Sequence, residues 1–207
     1  MSSQNSPESA LEIRGLEKTF YTFHLGPLDL TVPVGAVYGL IGPNGAGKTT
    51  TIDLVVGLGR NDSGTIKVLG FDHIRDEVEL KKRVGYVSPD LDFLAWRTVG
   101  ALISFICAFY PEWDFDYCEN LLARFHLLRD AKISELSLGE RTKLALTLVL
   151  PRRPPLLLLD EPTIGLDAIS KKEFFAEILK LVEDGHHSVL ISSHGLSDIE
   201  RFADHIG

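Results

Sequence analysis

The chain has 207 residues, enough for one sizeable domain with a subdomain inserted, and its 44% hydrophobic and 24% charged residues are those of an ordinary globular protein. A formal charge of -8 argues against a broad surface tracking DNA or RNA phosphates, so no nucleic-acid partner is expected. No apolar run approaches bilayer length, Ile103 to Phe109 being far too short, and Met1 to Ala10 is polar rather than signal-like, so any membrane work would pass through a partner.

In chain order, residues 1–10 read as a disordered lead. Leu11 to Arg14 alternates like an edge strand, and Leu28 to Val32 repeats the alternation. Between them sits the aromatic pair Phe20-Tyr21, which can stack on a nucleobase but between strands is more often core. Val37 to Ile41 reads as a short buried strand, and it leads into Gly42-Pro43-Asn44-Gly45-Ala46-Gly47-Lys48-Thr49-Thr50 and the helix-compatible Thr51 to Leu58. Strand, glycine loop, Lys-Thr and helix is the arrangement that cradles nucleotide phosphates. The glycines let backbone N–H groups turn inward, and the helix N-terminus adds positive potential. In that pattern Lys48 reaches the β- and γ-phosphates and the Thr49 hydroxyl ligates Mg²⁺.

Asn61 to Gly64 marks a turn, Thr65 to Leu69 a strand, and Arg83 to Val87 another that ends at Ser88-Pro89-Asp90. Thr98 to Tyr110 is apolar and helix-compatible, and Phe115, Cys118, Leu121, Leu122, Phe125 and Leu128 recur at helical steps. Residues 89–135 therefore read as a helical insertion. The two cysteines, Cys107 and Cys118, lack metal-ligand spacing and read as buried reduced thiols, and His186-His187 as a solvated loop. Ser137 with Glu140 is a capping box opening a helix through Leu150; Ser137, Gly139 and that helix N-terminus also admit a second reading, as a phosphate-binding end.

Leu156 to Leu159 is the unbroken apolar run of a central parallel strand. Asp160 at its tip is the expected second Mg²⁺ contact, and Glu161 is placed to polarise a water toward the γ-phosphate. Gly165-Leu166-Asp167 turns into a helix from about Ser170 to Val182, and Ser188 to Ser192 is the last clear strand, with His194 beyond its end. Ser197 to Ile206 reads as the start of another helix.

Taken in order, these motifs resemble the ATP-binding cassette of an ABC transporter over about residues 11–207: a Walker A loop at 42–50, a signature at 136–140, a Walker B strand with its glutamate at 156–161, a D-loop at 165–167 and a switch histidine at His194. The segment Phe109 to Asp114 further resembles single-cassette bacterial exporters whose membrane subunit is a separate chain. The resemblance implies an α/β fold: a P-loop NTPase core with a mostly parallel central sheet (about 11–88 and 136–207), an antiparallel β edge subdomain, and an inserted α-helical subdomain (about 89–135). It implies ATP and Mg²⁺ as cofactors, a separate transmembrane permease and a second ABC subunit, identical or paralogous, as partners, and a place on the cytoplasmic face of the cell membrane.

By the same resemblance, Gly42, Pro43, Asn44, Gly45, Ala46, Gly47, Lys48, Thr49 and Thr50 hold phosphates, with Thr49 and Asp160 on Mg²⁺. Glu161 activates water, and His194 contacts the γ-phosphate. Ser137, Gly139 and Asp167 act across a head-to-tail dimer, and Phe20 stacks on the base, with Tyr21 as its rival. Three departures stand out. The family's Q-loop glutamine is replaced by Ser88-Pro89-Asp90, where Asp90 can serve as a metal contact. Leu138 and Glu140 stand where Gly and Gln are usual. The sequence also stops where the family usually continues. A soluble ABC-type ATPase and a nucleotide-gated regulator are the alternative readings.

Overall fold

The computed structural model describes residues 9–207. Two sheets form. The smaller is antiparallel, in the order β2 (His24–Pro33), β1 (Ser9–Thr19), β4 (Ser63–Val68), β5 (Phe71–Asp72). The larger runs β6 (Val84–Val87), β7 (Leu156–Leu159), β8 (Ser188–Ser193), β3 (Val37–Ile41), β9 (His205–Ile206), with every pairing parallel. This is the α/β architecture expected from the sequence.

Strand β7 shows why the larger sheet is central. Leu156 and Leu158 face one hydrophobic cluster and Leu157 and Leu159 the other, and none of the four retains solvent exposure. At about 1.5–3 kcal/mol per fully buried leucine, this short strand contributes to both layers at once. The first layer joins β7 to the antiparallel sheet and to α1 (Lys48–Val55), through Leu11, Ile13, Ile52 and Ile66. The second carries α3 (Val99–Cys107), α4 (Phe115–Arg124), α5 (Leu138–Val149) and α6 (Ala168–Val182), meeting at Leu102, Leu121, Phe125, Leu144 and Phe174.

Between β6 and α5, α3 and α4 are the helices read from the sequence, each capped: Thr98 Oγ1 accepts from Ala101 N–H and Asp114 Oδ1 from Tyr117 N–H. Both are shorter than their apolar patterns, because Phe109 and Tyr110 lie in a turn and His126, at φ 57°, breaks the second helix before Leu128. Glu177 of α6 ties this pair to the core. It has no exposure, forms an ion pair with Arg124 of α4, and accepts hydrogen bonds from the Tyr117 hydroxyl at 2.8 Å and Lys180 Nζ at 3.1 Å.

Several expectations need correcting. β1 is not an edge strand; it is hydrogen-bonded on one side to β2 and on the other to β4. Alternation cannot tell the two apart, since β4 arrives some fifty residues later in the chain. Residues 1–8 of the expected lead lie outside the described residues, while Ser9 and Ala10 open β1. An unforeseen helix, α2 (Glu77–Arg83), precedes β6; it buries only Leu80 and has acidic residues in its first turn and basic ones in its last, so charge rather than apolar periodicity is its signal.

The helix expected over 197–206 is a single turn, α7 (Leu196–Ile199), after which the chain returns as β9. Asp204 makes that return. Its carboxylate accepts from Val37 N–H at 2.9 Å while its own N–H donates to Val37 O at 2.8 Å, so the edge of β3 is covered rather than left open. Cys118 is buried and burial pushes its thiol up to about 11; Cys107 is half-buried, and both are free. His186 is exposed as expected, but His187 is not: its Nδ1 lies 2.9 Å from Pro154 O.

Candidate functional site

The C-terminal ends of β3, β7 and β8 meet at one place, where ligands bind in parallel sheets. From β3 the chain enters the loop 42–47, pinned at its start by Gly42 N–H donating to Ser193 O at 3.2 Å. Gly45 and Gly47 have φ of 81° and 95°, and a Cβ on Gly47 would stand 2.6 Å from Leu25 Cδ1 and 3.1 Å from Phe23 Cζ. Only glycine fits there. α1 begins at Lys48, whose side chain folds back into the loop: Nζ donates to Gly42 O at 2.7 Å and Pro43 O at 3.1 Å, and lies 3.3 Å from Glu161 Oε1. A cleft of about 430 Å³ opens over this loop, lined by Phe23, Asn44, Gly45, Gly47, Lys48, Thr49, Thr50 and Glu161.

β7 delivers the carboxylates. Asp160 is almost fully buried, and its backbone N–H donates to Val87 O at 2.9 Å. Glu161 adopts φ 43°, a left-handed conformation that costs a non-glycine residue about 1–3 kcal/mol and so requires firm support. That support comes from β8. Ser192 Oγ accepts the Glu161 N–H at 2.8 Å, and His194 Nδ1 sits 2.8 Å from Glu161 Oε2. An ionised carboxylate only accepts, so Nδ1 carries the proton. Glu161 is thereby held between two nitrogens, Lys48 Nζ on one oxygen and His194 on the other.

A second acidic group lies behind the loop. The Tyr86 hydroxyl donates to Asp53 Oδ1 at 3.3 Å. Burial, reinforced by the charges of Asp160 and Asp90, raises the Asp53 carboxyl above its usual range, and burial pushes the Tyr86 phenol up to about 12.

The profile of a family described as "ABC transporter" matches residues 25–164, from the start of β2 to just past Asp160-Glu161. The chain belongs to that family. Over 198 residues it is 35% identical to the ABC transporter ATP-binding protein YtrB of Bacillus subtilis (strain 168), covering 95% of this chain and 68% of that protein. Over 182 residues it is 34% identical to the bacitracin transport ATP-binding protein BcrA of Bacillus licheniformis, covering 87% of this chain and 60% of that one. The chain thus spans 68% and 60% of the length of these two relatives. A solved structure of the ATP-binding subunit of an ABC transporter shares the fold with a TM-score of 0.84 at 24% identity, over 95% of this chain and 84% of that one. With the family come nucleotide binding and ATPase chemistry.

The cassette brings only some of its sequence-predicted site residues to the cleft. Asn44, Gly45, Gly47, Lys48, Thr49, Thr50 and Glu161 line it, the carbonyls of Gly42 and Pro43 hold Lys48, Ala46 is exposed on the loop, His194 contacts the lining residue Glu161, and Asp160 precedes Glu161 at the strand tip, bonded to Ser192. Phe20 and Tyr21 do not line it. Phe23 does, with Phe20 beside it at a ring separation of 6.4 Å and Tyr21 fully exposed. Asp90 is exposed and also outside the lining, its N–H 3.3 Å from Ser88 Oγ.

Ser137, Gly139 and Asp167 lie outside the cleft as well and are engaged within their own chain. The capping box is complete: Ser137 Oγ accepts Glu140 N–H at 3.3 Å, and Glu140 Oε2 accepts Ser137 N–H at 2.8 Å. Gly139 packs so closely on the Gly165 turn that a Cβ would come within 2.7 Å of Gly165 O. Asp167 caps α6, accepting from Ile169 N–H at 2.9 Å and Ser170 N–H at 2.8 Å. Two residues of the site escaped the sequence reading: Phe23, passed over for the Phe20-Tyr21 pair just before it, and Ser192, whose signal is a polar residue near the end of an apolar strand.

Proposed function

We propose that this cassette, a single domain over 11–207 with a helical subdomain at about 89–135, binds ATP with Mg²⁺, hydrolyses it, and uses the cycle to drive a separate transmembrane subunit of an exporter from the cytoplasmic face of the membrane. The observation that carries the reading is the meeting of Lys48, Glu161 and His194 at the tips of three adjacent parallel strands. Oxygen donors suited to Mg²⁺ are present: the Thr49 hydroxyl in the cleft and the Asp160 carboxylate at the strand tip. Mg²⁺ is commonly held by one or two such groups plus substrate phosphates. When bound, it neutralises charge on the phosphate oxygens.

Loop N–H groups and Lys48 hold the phosphates, Lys48 exchanging its present carbonyl and Glu161 partners for phosphate oxygens. Phe23 supplies a face for the base, a role the resemblance gives to Phe20. Glu161 orients the attacking water and takes its proton, and His194 keeps the Glu161 carboxylate in place and reaches the γ-phosphate.

Ser137, Gly139 and Asp167 close the site of a second copy, or of a paralogue, in a head-to-tail dimer. Exposed Leu138, Ile164 and Ile169 around that helix end, at 41%, 39% and 72% exposure, favour such a contact. For the membrane partner, an aromatic cluster of Trp96, Phe105 and Phe109, with ring separations of 4.3 and 5.1 Å, leaves Phe105 on α3 and Phe109 in the turn after it exposed. The bacitracin transport relative supports the transport reading.

The test has two arms. Steady-state phosphate release should fall about 10²–10⁴-fold in Glu161→Gln while nucleotide binding persists. Affinity purification in mild detergent from the native host should recover a polytopic membrane protein in stoichiometric amount. Ribosomal or nucleic-acid partners alone would sink the transport reading, and undiminished hydrolysis in Glu161→Gln would sink the assignment of the base.

A further inference from the structure

We infer that Ser192 is a positioning residue for hydrolysis, one hydroxyl that sets both the Asp160 carboxylate and the backbone of Glu161. The inference rests on the proposed Mg²⁺–ATP chemistry and extends it to a residue that touches neither ATP nor metal.

Ser192 lies at the end of β8, which is flanked on one side by β7 and on the other by β3. The register pairs Ile191 with Leu159 and Ser192 with Leu40, so Ser192 stands level with Asp160, one step beyond the last β7 pairing. It has no solvent exposure. Its Oγ donates to Asp160 Oδ1 at 2.6 Å and accepts from Glu161 N–H at 2.8 Å. A serine hydroxyl has one proton to give and lone pairs to receive, so it satisfies both bonds at once. Alanine can make neither.

The two bonds act on different parts of the chemistry. The first fixes one Asp160 oxygen and with it the rotation of the carboxylate. A short bond to a charged acceptor of this kind is among the stronger hydrogen bonds. The second fixes the Glu161 peptide, whose φ of 43° the chain would otherwise relax. Among the described residues the Glu161 side chain is held through Lys48 and His194, and Lys48 must leave it for phosphate; the Ser192 bond to the Glu161 N–H, with the Ile164 N–H on Glu161 O at 3.2 Å, then keeps the Glu161 backbone in place. Groups at and just beyond the end of β8 share this work: Ser193 O accepts the Gly42 N–H, and His194 Nδ1 donates to the Glu161 carboxylate.

Hydrogen-bond partners behind metal ligands typically govern about 10–100-fold in metal affinity or activity. The experiment compares the full chain with Ser192→Ala, Ser192→Thr and Asp160→Asn. The first readout is equilibrium binding of a non-hydrolysable ATP analogue, titrated with Mg²⁺; the second is phosphate release. Ser192→Ala should shift the Mg²⁺ midpoint upward about tenfold and lower kcat about 10–100-fold, with metal-free nucleotide affinity and the KM for ATP little changed. Ser192→Thr, which keeps the hydroxyl, should restore most of both.

A Ser192→Ala chain with the parent's Mg²⁺ midpoint and kcat overturns the inference. So does a folded Ser192→Thr chain as impaired as the alanine variant. Should Ser192→Ala fail to fold, Ser192→Thr and Ser192→Cys decide it: the threonine variant is expected to match the parent and the cysteine variant, a much weaker donor, to fall between, and equal behaviour of the two refutes the role. If the parent itself shows no Mg²⁺ dependence, or Asp160→Asn leaves that dependence intact, the Mg²⁺–ATP reading fails and the inference falls with it.

Discussion

Glu177 presents a sharp energetic test, because it is a carboxylate without solvent exposure whose charge is met from both the core and the helical pair. Arg124→Ala removes its ion-pair partner on α4. Loss of one member of a fully buried pair costs about 3–5 kcal/mol. Here the cost is smaller, because the Arg124 side chain is 43% exposed and the Tyr117 hydroxyl and Lys180 keep their bonds to the carboxylate. What is lost is one hydrogen bond to a charged group, about 1.5–3 kcal/mol. For a domain of this size, that corresponds to a fall in melting temperature of roughly 3–12 °C. The double variant Arg124→Ala with Glu177→Leu removes the remaining buried charge at the cost of the Tyr117 hydrogen bond and should recover part of the loss. Urea titrations of parent, single and double variants, followed by circular dichroism, measure both steps. A single variant within about 0.5 kcal/mol of the parent, or a double variant worse than the single, would show that Glu177 is not the buried anchor described.

Three further outcomes are expected. The Ser137 hydroxyl and backbone hold the Glu140 carboxyl below its ordinary value of 4.5, so the capping box stabilises the chain above that pH and the contribution is lost as pH falls through the depressed folded value. Acid melting of Glu140→Gln against the parent should therefore show the difference shrinking below about pH 4, and a constant difference would contradict it. Gly139→Ala places a methyl 2.7 Å from Gly165 O and should cost about 1–3 kcal/mol, read as a lowered midpoint in thermal melting; an unchanged midpoint would contradict the close packing. Asp204→Ala frees the Val37 N–H and should cost about 1–2 kcal/mol, with faster amide exchange confined to β3 and β9.

The sequence was most legible where local physics determines the answer alone. The glycine loop needs positive φ at Gly45 and Gly47, and the unbroken Leu156–Leu159 run needs two buried faces, so both could be read directly. The carboxylates at the end of that run followed. Less legible was whatever depends on a distant partner. Ser192 looks like any strand-end serine until β7 is laid beside it, and Phe23 is distinguished from Phe20 and Tyr21 only by its packing against Gly47. The central place of β1 depends on β4, and β9 is too short to carry a pattern. Helix α2 was missed because it buries one side chain and is stabilised by pairs such as Lys82 with Glu79 at 3.0 Å.

The place of β8 has a consequence for how the protein comes into being. β8 separates the strand that carries the glycine loop from the strand that carries Asp160, so β3 and β7 share no hydrogen bond with each other. Val37 finds its ladder partner at Val189, by which point on the ribosome both earlier strands have already been synthesised. Such long-range parallel pairing closes late and slowly. A nascent chain that has not yet delivered residues 188–193 therefore holds both halves of the phosphate site without the wedge that joins them. Acquisition of nucleotide affinity during translation should thus be abrupt, marking completion of the sheet rather than the appearance of the loop.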